Sequence, residues 1–572
     1  MLFIRQAAAA VLFLPLVAGG APRPAIAGEP VTVWETTQFD FRSAETHPWH
    51  STPAYAEFVH RGSDTRRRVP LFSDGRGRWV ARFAPTRAGE WEYTTHSDDK
   101  GLDAQSGRLT AVEPKSDELR RNPNLRGHVR IAPDNRAFQY ADGTPYLPLA
   151  DTLWDGNTLR CGLNERGEGP FAEYLADRKS KGFTAVLMRY LAGFGDNPKD
   201  PTGEANEGGR AFADRDLSEL NPEYFRALDR RVEAIIDGGL VPITPVCWWG
   251  KTSGRFCPVP IDKAEQIVEY LSKRYASYTG VWCLSGEYQY ALRDCGWDAN
   301  SFDRLGRAVR RSDAYDHPLS IHPSSRTEWP APHDQQSSIA FHESDWLDHH
   351  WLQTGQSARQ MANIVSRAQQ HRKLTPTMPV FCSEAYYEKR SDPNHTYHSR
   401  WQYWTAMLNG CAGYGYGAWG VWNVYKPDSG AEFKSSEVEN SSPFDEAVGF
   451  EGSSQMRHLR DLFDQLEWWR LEPARDRLTV DGGPCPKPKA NDLTPPQCAG
   501  HSEGCFIVYI PRGNAESRIA LEVDTPAGWR LVWLNPRNGE RIATTDAGLA
   551  QGGELPSRPS PADEDWVAIL RR

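Results

Sequence analysis

The sequence predicts a multidomain chain in which a (β/α)8 TIM barrel is flanked by N-terminal and C-terminal β-sandwich domains. Eight strand-like apolar runs alternate with amphipathic helical runs across residues 129–468. Short period-two strands broken by turn residues fill 29–113 and return over 469–572. A polar, charged stretch at 114–128 reads as the linker between the first sandwich and the barrel.

At 572 residues the chain exceeds one ordinary domain. Residues 1–27 carry Arg5, an apolar run and then Ala25-Ile26-Ala27, the form of a secretory signal peptide. A secreted or periplasmic protein is therefore expected. The apolar core of that segment is short for a membrane span, and no later run is long enough to be one. The formal charge is −9, and losing Arg5 and Arg23 with the signal makes it more acidic. Such a surface argues against nucleic acid as partner, because phosphate binding needs a basic face. Of ten cysteines, Cys247, Cys283, Cys382 and Cys411 lie inside apolar runs and read as small buried side chains, while Cys485, Cys498 and Cys505 cluster where one pair could be bridged.

The first sandwich is read from "AYAEFVHRG", "GRWVARFAP" and "GEWEYTTHS". The barrel strands are expected in the runs 146–154, 183–191, 240–249, 280–287, 318–325, 346–355, 378–388 and 412–422. Helices such as "PEYFRALDRRVEAIIDGG" and "IDKAEQIVEYLSKRYAS" separate them, with apolar residues at three- and four-residue spacing. No Gly-rich dinucleotide turn follows the first strand, so neither a doubly wound sheet nor a nucleotide cofactor is expected. The last sandwich is read from "CFIVYIPRG", "RIALEVD", "WRLVWLNPRNGE" and "DWVAILRR".

Two of the barrel runs end alike. "VWCLSGEYQY" and "MPVFCSEAYYE" each place a carboxylate, Glu287 or Glu384, after an apolar strand and a small residue, with tyrosines following. Barrels present their chemistry at strand C-terminal ends. Two carboxyl groups facing each other there suit glycoside hydrolysis, one protonated to assist the leaving group and one ionised. A spacing of about 5–5.5 Å implies retention, and about 6.5–9.5 Å implies inversion. On the pattern of retaining barrel glycosidases, Glu287 after strand four donates the proton and Glu384 after strand seven attacks.

Other strand ends supply candidate binding groups for a carbohydrate. Arg189 could pair with the nucleophile and hold it ionised. Trp154, Trp248, Trp249, Trp419 and Trp422 offer flat faces for sugar C–H groups. Asp151, His322, His349 and Gln353 could bond sugar hydroxyls, and Tyr386 and Tyr387 follow Glu384 after one alanine. In "FHESDWLDHHW", Trp346 stands where a zinc helix requires its second histidine, and alternate strand residues cannot all face one ion, so no metal is expected. A carbohydrate-binding protein that keeps the tryptophans without turnover is the alternative reading.

Taken together, "RFAPTRAGEWEYTTHS", "FQYADGTPYLPLADTLW", "VWCLSGE", "WLDHHWLQTG", "PVFCSEAYYE", "GCAGYGYGAWGVW", "WLNPRNGE" and "DWVAIL" resemble, in this order, the apiosidase-like glycoside hydrolases. The resemblance implies an N-terminal sandwich, a catalytic barrel, a C-terminal sandwich of the collagen-binding type, and action on plant or algal polysaccharide. It carries the paired carboxylates to Glu287 and Glu384. Family members commonly have aspartate after the strand-four glycines, where this chain reads Ser285-Gly286-Glu287, so the resemblance leaves the sugar open.

Overall fold

The structure, a computed structural model, describes residues 23–24, 29–191, 204–214, 216–249, 259–325, 338–389, 391–431, 433, 435–501, 504–523, 528–544, 549 and 551–572. At its centre stand eight parallel strands: β1 (Leu149–Thr152), β2 (Ala185–Leu187), β3 (Val241–Pro245), β4 (Val281–Cys283), β5 (Leu319–Ser320), β6 (His350–Gln353), β7 (Val380–Glu384) and β8 (Gly413–Ala418). They lie side by side in the order β5-β4-β3-β2-β1-β8-β7-β6. The ring closes between β5 and β6, where the Asp348 amide donates to the Leu319 carbonyl at 3.0 Å and the Ser320 hydroxyl to the His349 carbonyl at 2.6 Å. Each of the eight expected runs contains one of these strands.

Both faces of this sheet are covered, which is why its strands read as unbroken apolar runs. Ala150, Leu187, Ile243, Cys283 and Phe381 meet inside the ring. Val186, Leu284, Leu352 and Val380 point outward into the helical layer. Strand β8, "GYGYGA", sends its tyrosines outward and its glycines inward. A Cβ on Gly417 would come 2.3 Å from the Tyr387 ring, so the glycine makes room for that side chain. Helix Ala299–Ser312 begins with Asp298, whose carboxylate accepts from the Ser301 amide at 2.9 Å. A three-stranded sheet (Arg130–Ile131, Phe138–Gln139, Pro145–Tyr146) adds Phe138 and Tyr146 to the core inside the ring.

The N-terminal unit stacks a five-stranded sheet on a four-stranded one, around Phe39, Phe58, Phe83, Trp79 and Trp91. The C-terminal unit packs a six-stranded sheet on a three-stranded one around Val508, Leu531, Trp533 and Trp566. The expected signal peptide, 1–27, lies outside the described residues except Arg23–Pro24, a short strand beside Thr37 and Gln38. Among the described residues no helix is long and apolar enough to cross a membrane. The expectation of a bridge among Cys485, Cys498 and Cys505 is corrected, because all three are free thiols. Cys498 stands opposite Val508 and Cys505 opposite His501 on neighbouring strands, so their sulfurs are out of register. Cys295 is disulfide-bonded, and Cys247, Cys283, Cys382 and Cys411 are buried free thiols.

Candidate active site

Strict alternation along β7 would point Glu384 outward with Cys382. It does not, because the pairing with β6 shifts: Leu352 stands opposite Cys382, but Gln353 stands opposite Glu384. Such a bulge re-aims the residues that follow it. Glu384 is buried, 7 % exposed. Its Oε2 lies 2.9 Å from His322 Nε2, and its Oε1 accepts from Gln356 Nε2 at 2.7 Å. The Gln356 amide is oriented by its other end, which accepts the Tyr387 N–H at 2.8 Å. Both oxygens of the strand-seven carboxylate are thus held before any ligand arrives.

Glu287 sits differently. Strand β4 stops at Cys283, and Gly286 donates its N–H to the Cys247 carbonyl at 2.9 Å. The Trp248 ring lies against Gly286 so closely that a Cβ there would meet it at 2.0 Å. Glu287 follows in the left-handed region at φ 37° and is half-buried. A non-glycine residue held there stores strain, a feature concentrated at functional sites. Tyr387 relates the two carboxylates. Burial pushes its hydroxyl well above the usual phenol range, and the charges of Glu384 and, more weakly, Glu287 push it the same way.

Rings wall this region. The Trp154 indole donates to the Tyr387 hydroxyl at 2.8 Å and meets Trp248 edge-on at 4.9 Å. His322 lies 5.9 Å from Trp154, 6.0 Å from Trp248 and 5.6 Å from Trp351. Trp419 and Trp422 pack against each other at 5.5 Å and flank Tyr387. Of the expected residues, the structure therefore gathers Glu384, His322, Trp154, Trp248, Tyr387, Trp419 and Trp422. Gln353 ends β6 beside them, with its buried Oε1 unpartnered among the described residues.

Five expected site residues lie elsewhere. Asp151 faces the helical layer, bonded to the Tyr174 hydroxyl at 2.8 Å and Arg178 Nε at 2.5 Å. Arg189 donates to Asp155 instead of Glu384, with its guanidinium over the Trp248 ring. Trp249 also points outward, its indole donating to the Leu284 carbonyl at 3.3 Å and packing on Trp297. His349 accepts the Trp351 indole N–H at 2.8 Å and packs on Phe138, and burial lowers it to about 3, so it stays neutral. Tyr386 turns toward helix His395–Leu408 and donates to Asp392 at 2.5 Å. For Asp151, Trp249 and Tyr386 the cause is facing, since adjacent residues on a strand take opposite sides and composition does not say which side is inside. Arg189 and His349 instead pack on rings inside the barrel and are bonded to other partners.

Sequence reading missed Gln356, Ser383 and Trp351. Gln356 lies in the loop after β6, beyond the reach of strand periodicity; only its proximity to the "LQTG" strand end marks it. In the histidine-rich run, His342 Nδ1 and His350 Nε2 bond each other at 3.2 Å in the outer layer. Among the described residues no group of three or more His, Cys, Asp or Glu could hold a metal ion.

Comparisons with known proteins agree with this architecture. A protein from Bacteroides vulgatus ATCC 8482, assigned as a glycoside hydrolase, superposes with TM-score 0.67 at 16% identity, over 95% of this chain and 99% of its own. A family 5 glycoside hydrolase from the same strain gives 0.63 at 18% identity, over 79% and 94%. A further glycoside hydrolase gives 0.62 at 18%, over 79% and 98%. At these identities the likeness is one of fold. None of the curated proteins matches the chain. Residues 30–98 match a domain family of unknown function. Residues 132–470 match the apiosidase-like catalytic domain, and the chain belongs to that family.

Proposed function

We propose that the protein is an exported glycoside hydrolase that cleaves glycosidic bonds in plant or algal polysaccharide with retention of configuration. The observation that carries this reading is the placement of Glu384 and Glu287 after β7 and β4 around one wall of rings, where Trp248 lies against Gly286, beside Glu287, and meets Trp154, whose indole bonds the Tyr387 hydroxyl. Family membership and the three-domain order support it. In this scheme a Glu384 oxygen bonds to the anomeric carbon as the bond to the leaving oxygen breaks, and the Glu287 proton passes to that oxygen. Glu287 then takes a proton from water, which attacks the glycosyl-enzyme and frees Glu384. Trp419, partly exposed, and Trp422 supply apolar faces for the sugar.

The test is reducing-sugar release from a panel of plant and algal polysaccharides, with Glu287→Gln and Glu384→Gln in parallel. Activity on one substrate that both variants reduce by about 10³-fold or more supports the pair. Silence across the panel with measurable binding to one glycan would replace the enzyme by a carbohydrate-binding protein. The anomer first released, read by proton NMR, decides between retention and inversion.

A further inference from the structure

Ser383, His322 and Glu384 form a chain of hydrogen bonds whose protons can be counted. Ser383 Oγ lies 3.0 Å from the Leu352 carbonyl, which can only accept, so the hydroxyl donates there. The same Oγ lies 3.0 Å from His322 Nδ1. Its own hydrogen already committed, the hydroxyl oxygen accepts, and Nδ1 carries a hydrogen. The second ring nitrogen, Nε2, lies 2.9 Å from Glu384 Oε2. A neutral imidazole with its hydrogen on Nδ1 would face the carboxylate lone pair to lone pair. One further proton must therefore lie between the two groups.

The surroundings favour placing that proton on the ring. Glu384 Oε1 already accepts from Gln356, a bond that strengthens with negative charge. The guanidinium expected to neutralise the nucleophile, that of Arg189, is committed to Asp155. His322 is fully buried, with the rings of Trp154, Trp248 and Trp351 around it and the carboxylate of Glu384 as its bonded charge. The Tyr387 hydroxyl and the Cys283 thiol, both pushed up by burial, remain neutral beside this pair. Glu287 is the other carboxylate acting on Tyr387.

We propose that His322 is a positioning residue that works as an imidazolium, holding Glu384 ionised and aimed, with Ser383 locking a ring hydrogen on Nδ1. The inference rests on the reading of Glu384 as the nucleophile. A fixed positive charge beside it resists the attack slightly, since the carboxylate is stabilised, and assists the second step, in which Glu384 leaves as an anion.

The experiment is ¹⁵N NMR of the full-length protein labelled at histidine, with the His322 signals assigned by their loss in His322→Gln. Both ring nitrogens should be protonated in the wild type at pH 6. In Glu384→Gln the ring should become neutral with its hydrogen on Nδ1, because the new amide donates to Nε2. In Ser383→Ala the hydrogen on Nδ1 should lose its acceptor, so the Nδ1 signal should shift while that of Nε2, still bonded to Glu384, changes less. A neutral wild-type ring in either tautomer overturns the proposal, as does a His322 signal unchanged by Glu384→Gln. The readout needs no substrate: a protein inactive on every polysaccharide but with His322 charged would count against the hydrolase and not against the ion pair.

Discussion

Both accessory domains add apolar side chains to the barrel's outer core, but the charges set into the two junctions differ. The N-terminal unit contributes Trp49, Phe72 and Val80 together with a charged network: Arg82 binds Asp229 with Nη2 at 2.5 Å and Nη1 at 3.2 Å, and Arg274 holds the same carboxylate at 2.5 and 2.9 Å. Arg274 also reaches back to Asp74 at 3.1 Å. The C-terminal unit lays one face of its larger sheet on the barrel, where Ile507, Tyr509 and Ile569 join the barrel's own outer core. A buried ion pair is set into that face: Arg400 grips Asp565 at 2.7 and 2.8 Å, with the Tyr509 hydroxyl donating at 2.9 Å. Arg400 lies on helix His395–Leu408, two residues before Gln402, which accepts the Tyr386 N–H and donates to Thr354 Oγ1. Thr354 in turn donates its N–H to the Glu384 carbonyl at 3.1 Å. The first junction touches none of the groups that hold Glu384; the second is two links from them.

That difference separates stability from activity. Asp229→Ala strands two buried guanidinium groups and should give the largest effect, about 3–5 kcal/mol of folding free energy. Chemical denaturation should read that loss, while kcat of the folded fraction stays within about twofold. Asp565→Ala leaves one fully buried guanidinium, Arg400, without its carboxylate, while Arg537, which touches Asp565 at 3.3 Å, keeps Glu564 at 3.6 Å; the cost should be about 3 kcal/mol. Here kcat should also fall, by about 10–100-fold, because displacing the helix moves the supports of Glu384. Equal kcat losses in the two variants would break the comparison.

The barrel was legible because eight buried strands leave eight apolar runs, and each carries its strand. Glu384 was legible as a strand end, but the bulge that turns it inward was not: nothing in "VFCSE" distinguishes a regular strand from one slipped at Ser383. The same limit explains the adjacent pair Trp248 and Trp249, one against Gly286 in the site and the other against Trp297 outside. His322 was expected to bond sugar hydroxyls; its contact with Glu384 was not legible, since that partner lies 62 positions away in sequence. Asp151 failed for the complementary reason: a polar residue on a barrel strand need not face the cavity when Arg178 and Tyr174 satisfy it from the helix side.

Acid should sharpen the contrast. Arg274 and Arg82 outweigh burial and hold Asp229 far below the usual carboxylate range; Arg400 also lowers Asp565, which one fully buried guanidinium grips where Asp229 has two. A carboxyl depressed in the folded state contributes stability that is complete above its unfolded value, near pH 4, and is lost as pH falls through the folded one. As pH falls below roughly 4, the Asp565 contact should therefore yield before that of Asp229. Peptic cleavage should open the C-terminal junction first; simultaneous cleavage at both would remove the distinction.

The smallest effect is expected where charges pair in water. Arg311 reaches Glu265 and Glu269, each at 2.7 Å, but its side chain is 55% exposed. Solvent screens the attraction, and each side chain already interacts well with water when unpaired. Glu269→Ala should therefore cost less than about 1 kcal/mol and leave kcat unchanged. The shortest distance matches that of the Arg400–Asp565 contact, which is buried and made through two nitrogens. A loss from Glu269→Ala as large as that from Asp565→Ala would mean that ion-pair geometry, and not exclusion of water, sets the strength of these junctions.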